Sequence, residues 1–270
     1  MHVSLATSAA PGRDNEDFVA ATADAIVLLD GTGPAPGQSS GCSHGVPWYV
    51  RSLGSVLLSE LSQPSCPLPQ ILSRAIKHVT SLHDFTCDLS RPGAPGASVV
   101  MMRRTRDAVD FLVLADAVVV VDVGAPDPLV IRDGRPGPDG NGVTRLYRSE
   151  AGPPVAEHAA AGRGGTGTRT LAGRDRRVAS TDPLAAERAV TGSVPLEQVA
   201  AVALLSDGVS RLVDRFGLAS WRQLLALLGR HGAWEAIRQV RAAEQADPTG
   251  ERWPRDAVHD DASVAYWEPE

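Results

Sequence analysis

Two unbroken apolar runs, each followed by an Asp-Gly pair, constrain what this chain can fold into more than any other feature. Ala25-Ile-Val-Leu-Leu29 closes on Asp30-Gly31, and Val202-Ala-Leu-Leu205 is followed by Ser206-Asp207-Gly208. Runs this short are too brief for a core helix, and without alternation they read as strands buried on both faces. Each is expected to end in a turn at its Asp-Gly pair. Between them, Val99 to Met102, Phe111 to Leu114, Val118 to Val121 and Leu129 to Ile131 are β-rich runs separated by polar or Gly/Pro turns. That succession predicts an antiparallel meander. A last strand is expected over Ala262 to Trp267, directly after Asp260-Asp261.

Helical signals punctuate the strands. Pro47 to Leu61 follows a Gly/Ser-rich loop, and Leu68 to Asp84 carries Ile71, Leu72, Ala75, Ile76, Val79 and Leu82 at the spacing of one helical face. Ser180-Thr-Asp-Pro183 reads as a helix start before Leu184 to Val190, with proline suited to the first turn. Trp221 to Leu228 and Trp234 to Ala246 read as two further helices. The Gly/Pro/Arg-rich stretch from Asp133 to about Arg177 is expected to be a long surface excursion within one domain spanning residues 1–270, rather than a linker. Asp133-Gly134 itself reads as a hairpin turn.

Composition narrows the function. With 270 residues and 43% hydrophobic content the chain can bury a full core. Its formal charge of -6, with no Lys/Arg cluster that dominates, argues against a nucleic-acid partner. The longest apolar stretch, Val109 to Val123, contains Asp116 and Asp122, short of the roughly 20 apolar residues a membrane helix needs. No basic-then-apolar leader opens the sequence, so a cytoplasmic, monomeric protein is expected. Cys42, Cys66 and Cys87 are odd in number and lack CxxC spacing. They predict reduced structural cysteines, with neither a disulfide framework nor a zinc knuckle.

The acidic pairs carry the chemistry. Carboxylates at the ends of two core strands and the start of a third would gather at one edge of the sheets. Hard cations such as Mg²⁺ and Mn²⁺ take several oxygen ligands, and one carboxylate can bridge two ions. Gly31, without a side chain, would let a backbone carbonyl approach the same cation. A single Asp-Gly pair is more simply a turn, so the inference rests on the set.

That set is Asn15-Glu16-Asp17, Val27-Leu-Leu-Asp-Gly31, Gly96-Ala-Ser-Val-Val100, Leu204-Leu-Ser-Asp-Gly208 and Asp260-Asp-Ala-Ser-Val264. In order and rough spacing it resembles the type 2C, or PPM-type, metal-dependent serine/threonine phosphatases, over nearly the whole chain. The resemblance implies an α+β fold, a four-layer α-β-β-α sandwich with two central antiparallel sheets flanked by helices. It implies two Mg²⁺ or Mn²⁺ ions, with Asp30 bridging both, the Gly31 carbonyl on one, Asp207 and Asp260 completing the site, and Glu16 acting through bound water. A metal-bridging hydroxide would then hydrolyse phosphoserine or phosphothreonine in a protein substrate. Arg13 is the candidate for engaging the phosphate, although it lies about one residue nearer Asn15-Glu16-Asp17 than the family's spacing. Asp116 matches the aspartate of a weaker third ion, in a setting, Leu114-Ala-Asp116-Ala, that departs from the family's Gly-Asp-Ser.

Other departures open two alternatives. Thr32 stands where some members carry a histidine proposed as general acid, and His44 is a candidate substitute. Such changes suit a catalytically weak or inactive phosphatase fold that binds a partner. Separately, Gly41-x-Ser43-x-Gly45 matches the nucleophile elbow of serine hydrolases, with His259 following, but a Gly/Pro loop rather than a buried strand precedes Ser43. Gly162-x-Gly164-x-x-Gly167 matches the dinucleotide fingerprint without the strand and helix that motif requires.

Overall fold

The structure is a computed structural model, and it describes residues 2–34, 38–63, 65–91, 93–133, 178–255 and 257–269. The excursion after Asp133, with Gly134 and the Gly162 to Gly167 fingerprint, lies outside the described residues.

Among the described residues, ten strands form two antiparallel sheets. In chain order they are β1 (His2–Ser8), β2 (Asp17–Ala21), β3 (Ala25–Thr32), β4 (Gly96–Arg104), β5 (Ala108–Leu114), β6 (Val118–Asp122), β7 (Leu129–Arg132), β8 (Val190–Pro195), β9 (Ala201–Leu205) and β10 (Ala262–Glu268). One sheet runs β1-β10-β9-β6-β7 and the other β2-β3-β4-β5-β8. Helices α1 (Gly45–Leu61) and α2 (Leu68–His83) cover the second sheet, and α3 (Asp207–Asp214), α4 (Trp221–His231) and α5 (Ala233–Ala246) cover the first.

This layering explains the unbroken apolar runs. Successive side chains of a strand point to opposite faces. In β3, Ile26 and Leu28 enter the core between the sheets, whereas Val27 and Leu29 pack under α1 and α2. In β9, Val202 and Leu204 face the other sheet, and Ala203 and Leu205 face the helices α3 to α5. Both faces are dry, so alternation disappears even though every ladder is antiparallel. Trp267 of β10, 1% exposed, closes the inter-sheet core.

Several expectations need correction. The strand runs do not form one meander: β4 and β5 pair in one sheet, and the chain crosses at Ala115 to Ala117, with Ala115 at φ 68, to pair β6 with β7 in the other. Asp30-Gly31 is not a turn, because β3 continues through Thr32, with Asp30 opposite Ser98 and Gly31 opposite Ala97. Asp207-Gly208 opens α3, which periodicity did not reveal because the helix is only 8 residues long. Residues 183–188 form a short 3-10 turn in place of a longer helix, and β8 begins at Val190, where that helix was expected to end. Along α2, Ile71, Leu72, Ala75, Ile76 and Val79 are buried as expected, but Leu82 is exposed and the buried residue at that end is His83.

Candidate active site

The two sheets deliver acidic residues to one shared edge. From the second sheet come Asp17 at the start of β2, Asp30 near the end of β3, and Asp116 just beyond β5. From the first come Asp207 just after β9 and Asp260-Asp261 just before β10. Register places Asp17 directly opposite Asp30. The Asp207 backbone N–H donates to Asp30 Oδ2 at 3.3 Å, joining the two sheets through the first residue of α3.

Both Asp-Gly glycines are there for close approach, at ordinary backbone angles. A Cβ on Gly31 would sit 2.2 Å from the Glu16 carbonyl oxygen and 2.5 Å from Val46 Cγ1. A Cβ on Gly208 would sit 1.9 Å from the Asp261 carbonyl oxygen. Each glycine therefore seats a second acidic segment against its own aspartate: Glu16-Asp17 against Asp30, and Asp260-Asp261 against Asp207. The sequence suggested a different use for Gly31, a carbonyl ligand, and the close backbone contact is compatible with it.

Hydrogen bonds fix the two acidic segments. Asp261 is buried, and its carboxylate accepts from the backbone N–H of Ala10 at 2.7 Å and of Glu16 at 2.6 Å. Asn15 Oδ1 accepts from the Asp17 N–H at 3.0 Å, while its Nδ2 donates to Thr7 Oγ1 at 2.8 Å. Asp261 and Asn15 thus act as braces that turn Glu16 and Asp17 toward the cluster. Ser98 donates to the exposed Asp116 carboxylate, tying the sheet crossing to β4.

Arg211, on the buried face of α3, is the cation behind the site. Its Nη2 donates to Asp260 Oδ2 at 2.8 Å and lies 3.8 Å from Asp207 Oδ2, and its Nη1 donates to Glu244 Oε1 at 3.2 Å. Glu244 is fully buried and also meets Arg241 at 2.8 Å and His259 Nδ1 at 2.8 Å. A buried carboxylate of this kind persists only when paired.

Carboxylates gathered in this way resist ionising together. Burial pushes Asp30 well above the ordinary carboxylate range, and repulsion from Asp17, Asp207, Asp116 and Asp260 adds to it. Burial raises Asp17 to about 8, with Asp261 and Asp207 contributing and the Ser263 and Ser206 hydroxyls opposing. Asp207 is pushed up to about 7 by burial and by Asp260 and Asp116, against the pull of Arg211. Glu16 is raised by burial, with Arg13 opposing. One oxygen of Asp17, Oδ2, is buried with no hydrogen-bond partner among the described residues. An all-oxygen donor set, self-repelling and with an orphaned buried oxygen, fits hard divalent cations.

A cleft of about 410 Å³ opens beside the cluster, lined by Arg13, Glu16, Pro34, Ser40, Val46 and Pro95 among others. Arg13 is exposed, with Nη2 3.8 Å from Glu16 Oε2.

The chain was compared with known proteins. No family model matches the sequence, and no curated protein does. Solved structures match over its length. The serine/threonine phosphatase Stp1 from Staphylococcus aureus shares 12% identity at a TM-score of 0.58, covering 99% of this chain and 94% of that one. The Mycobacterium tuberculosis serine/threonine phosphatase PstP/Ppp shares 14% identity at 0.56, covering 100% and 98%. The chain has the fold of the bacterial serine/threonine phosphatases. The catalytic domain of PstP, solved in complex with 2 manganese ions, matches at 0.53 with 14% identity, covering 98% of this chain and 96% of that one. The expected four-layer sandwich is therefore the fold observed.

Of the residues singled out from the sequence, Glu16, Asp30, Asp207 and Asp260 converge, and Asp116 lies at their edge through Ser98. Sequence reasoning missed Asp17, Asp261 and Arg211 as parts of the site. The first two were visible as members of the acidic pairs, but which of two adjacent carboxylates turns inward depends on register. Arg211 carried a weak signal, sitting four residues after Asp207 and so on the same helical face. His44 does not face the acidic cluster as a stand-in acid: it stacks on Trp48, with centroids 4.4 Å apart, and its Nδ1 lies 3.3 Å from Cys87 Sγ. The elbow serine, Ser43, is exposed on the loop beside Cys87, while His259 is engaged with Glu244 under the other helical layer.

Proposed function

We propose that this chain is a Mg²⁺- or Mn²⁺-dependent phosphomonoester hydrolase acting on phosphoserine or phosphothreonine in proteins. The observation that carries this reading is the junction of the two sheets, where Gly31 and Gly208 each seat a second acidic segment against Asp30 and Asp207. Asp30, Asp207 and Asp260, with the Gly31 carbonyl, would hold two cations, and Asp17 stands opposite Asp30 to share that charge. Asp116 would hold a weaker third ion. Such cations, when bound, lower the pKa of a bound water to about 7 and neutralise charge on phosphoryl oxygens.

The chain's own residues supply the rest. Arg211 holds Asp207 and Asp260 at fixed positions, so their oxygens need not reorganise when charge develops. Glu16, at the cleft wall and raised by burial, orients water by accepting its proton in a hydrogen bond. Arg13, exposed at the cleft mouth, pairs with the anionic oxygens of the phosphate.

The test is hydrolysis of p-nitrophenyl phosphate and of a phosphothreonine peptide with Mn²⁺, with and without chelator, for wild type and Asp207→Asn. Activity lost on chelation and in Asp207→Asn supports the proposal; equal rates in the two proteins refute it. Calorimetric Mn²⁺ binding without turnover of either substrate would instead make the chain a phosphatase-fold binding module.

A further inference from the structure

A second donor cluster lies outside the acidic site, built of soft ligands. Cys42 and His44 sit on the loop leading into α1, His83 is the last residue of α2, and Cys87 follows four residues later. One donor atom from each lies within 4.8 Å of every other. Cys42 Sγ is 3.6 Å from Cys87 Sγ and 3.4 Å from His83 Nδ1. His44 Nδ1 is 3.3 Å from Cys87 Sγ and 3.8 Å from Cys42 Sγ.

These four of the six donor separations are close to the edges of a tetrahedron around one ion. With Zn–S about 2.3 Å and Zn–N about 2.0 Å, tetrahedral geometry puts sulfurs about 3.8 Å apart and sulfur and nitrogen about 3.5 Å apart. A disulfide would need sulfurs about 2.05 Å apart. The surroundings are also those of a built site. His83 is 2% exposed, and the ring nitrogen it turns to the cluster is Nδ1, the one beside Cys42 Sγ. The Trp48 ring lies against both imidazoles, 4.4 Å from His44 and 4.9 Å from His83 between centroids, walling one side from water. The Asp88 N–H donates to the Gly41 carbonyl at 2.9 Å and holds the two segments together, while the Cys87 N–H donates to the His83 carbonyl at 2.9 Å and fixes the spacing of that pair. Gly41 has φ 72, and a Cβ there would lie 2.3 Å from the Asp88 carbonyl oxygen, so only glycine allows this approach.

Cysteine spacing along the chain does not reveal this cluster, for a physical reason. The ligands arrive as two short pairs, Cys42-x-His44 and His83-x₃-Cys87, from segments about 40 residues apart, which no CxxC rule detects.

We propose that Cys42, His44, His83 and Cys87 bind one structural Zn²⁺ that clamps the loop before α1 to the end of α2. Two thiolates and two imidazoles complete its coordination, leaving no open position for chemistry. The clamped loop includes Ser40 and runs to Gly45, both of which line the cleft beside Arg13 and Glu16. The zinc therefore fixes one wall of that cleft, while the oxygen ligands at the sheet junction stay with harder cations.

The experiment is metal analysis of the protein purified without added metal, together with Co²⁺ substitution, on wild type, Asp207→Asn, Cys42→Ser and His44→Ala. The expected result is about one zinc per chain in wild type and Asp207→Asn, with intense tetrahedral Co²⁺ bands and thiolate-to-cobalt charge transfer in both. Zinc content is expected to fall at least tenfold in Cys42→Ser and His44→Ala. If a variant fails to fold, the wild-type stoichiometry and Co²⁺ spectrum decide the matter alone. Wild-type zinc well below one per chain after equilibration with Zn²⁺, Co²⁺ bands lacking thiolate charge transfer, or a Cys42–Cys87 disulfide in the native protein would each overturn the proposal.

Discussion

Gly208→Ala separates the site's geometry from the stability of the fold. The new Cβ would sit 1.9 Å from the Asp261 carbonyl oxygen, with the Asp261 carbonyl carbon at 3.0 Å. To bring that oxygen out to even 3.0 Å, the Asp260-Asp261 backbone must retreat by about 1.1 Å. Misplacement of this size at a reacting centre costs about 100-fold in kcat/KM, or ~2.7 kcal/mol. Overpacking costs about 1–3 kcal/mol of stability, offset in part by the preference of a helix for alanine over glycine of about 1 kcal/mol. Gly192→Ala in β8 is the control. Its Cβ would meet the Phe111 ring at 2.3 Å, a clash with a side chain instead of backbone, at the far edge of the second sheet from β2 and β3. Both variants should melt a few degrees lower, at about 2–4 °C per kcal/mol. Only Gly208→Ala should lose p-nitrophenyl phosphate hydrolysis and weaken Mn²⁺ binding by calorimetry. A folded Gly208→Ala protein with wild-type kcat/KM, or an equal loss in Gly192→Ala, would refute the assignment of Gly208 to seating the Asp260-Asp261 segment.

Three further outcomes follow from the same geometry. Arg211→Met removes one partner of the fully buried Glu244 and should cost about 3–5 kcal/mol, measured by urea denaturation; a loss under about 1 kcal/mol would mean that Arg241 and His259 suffice. Asp17 and Asp207 have folded-state values raised to about 8 and about 7, so in metal-free protein the folded state holds protons that the unfolded state releases above about 3.8. Their protonated forms thus support the fold fully below about pH 4, and that support is lost progressively up to about pH 8, so chelated protein should melt lower at pH 8 than at pH 5. Asp17→Asn should flatten this dependence, and a slope unchanged in that variant would show that Asp17 does not cause it. Mn²⁺, which favours the ionised carboxylates, should raise the melting temperature more at pH 8 than at pH 5; an equal rise at both would argue against binding by these groups.

The sequence by itself determined the elements that local chemistry controls. Apolar runs without alternation announced strands covered on both faces, and the 3.6-residue stripe from Ile71 to Val79 announced α2. Five short acidic and glycine motifs in order were enough to anticipate the four-layer sandwich. Tertiary structure alone decided how these parts meet. Asp30-Gly31 looked like a turn because Asp-Gly usually is one, yet pairing with Ser98 and Ala97 carries the strand through it. The inward turn of Asp17 and Asp261, the reach of Arg211 from α3 to α5, and the crossing at Ala115 depend on register and sheet order. Neither is written in a window of a few residues. The Cys42, His44, His83 and Cys87 cluster is the plainest case. Its two halves lie about 40 residues apart, and they become one set of donors only because α1 and α2 pack side by side on the same sheet. Spacing along a chain reports what one segment can do, whereas a site made by two segments exists only once packing has set the distance between them.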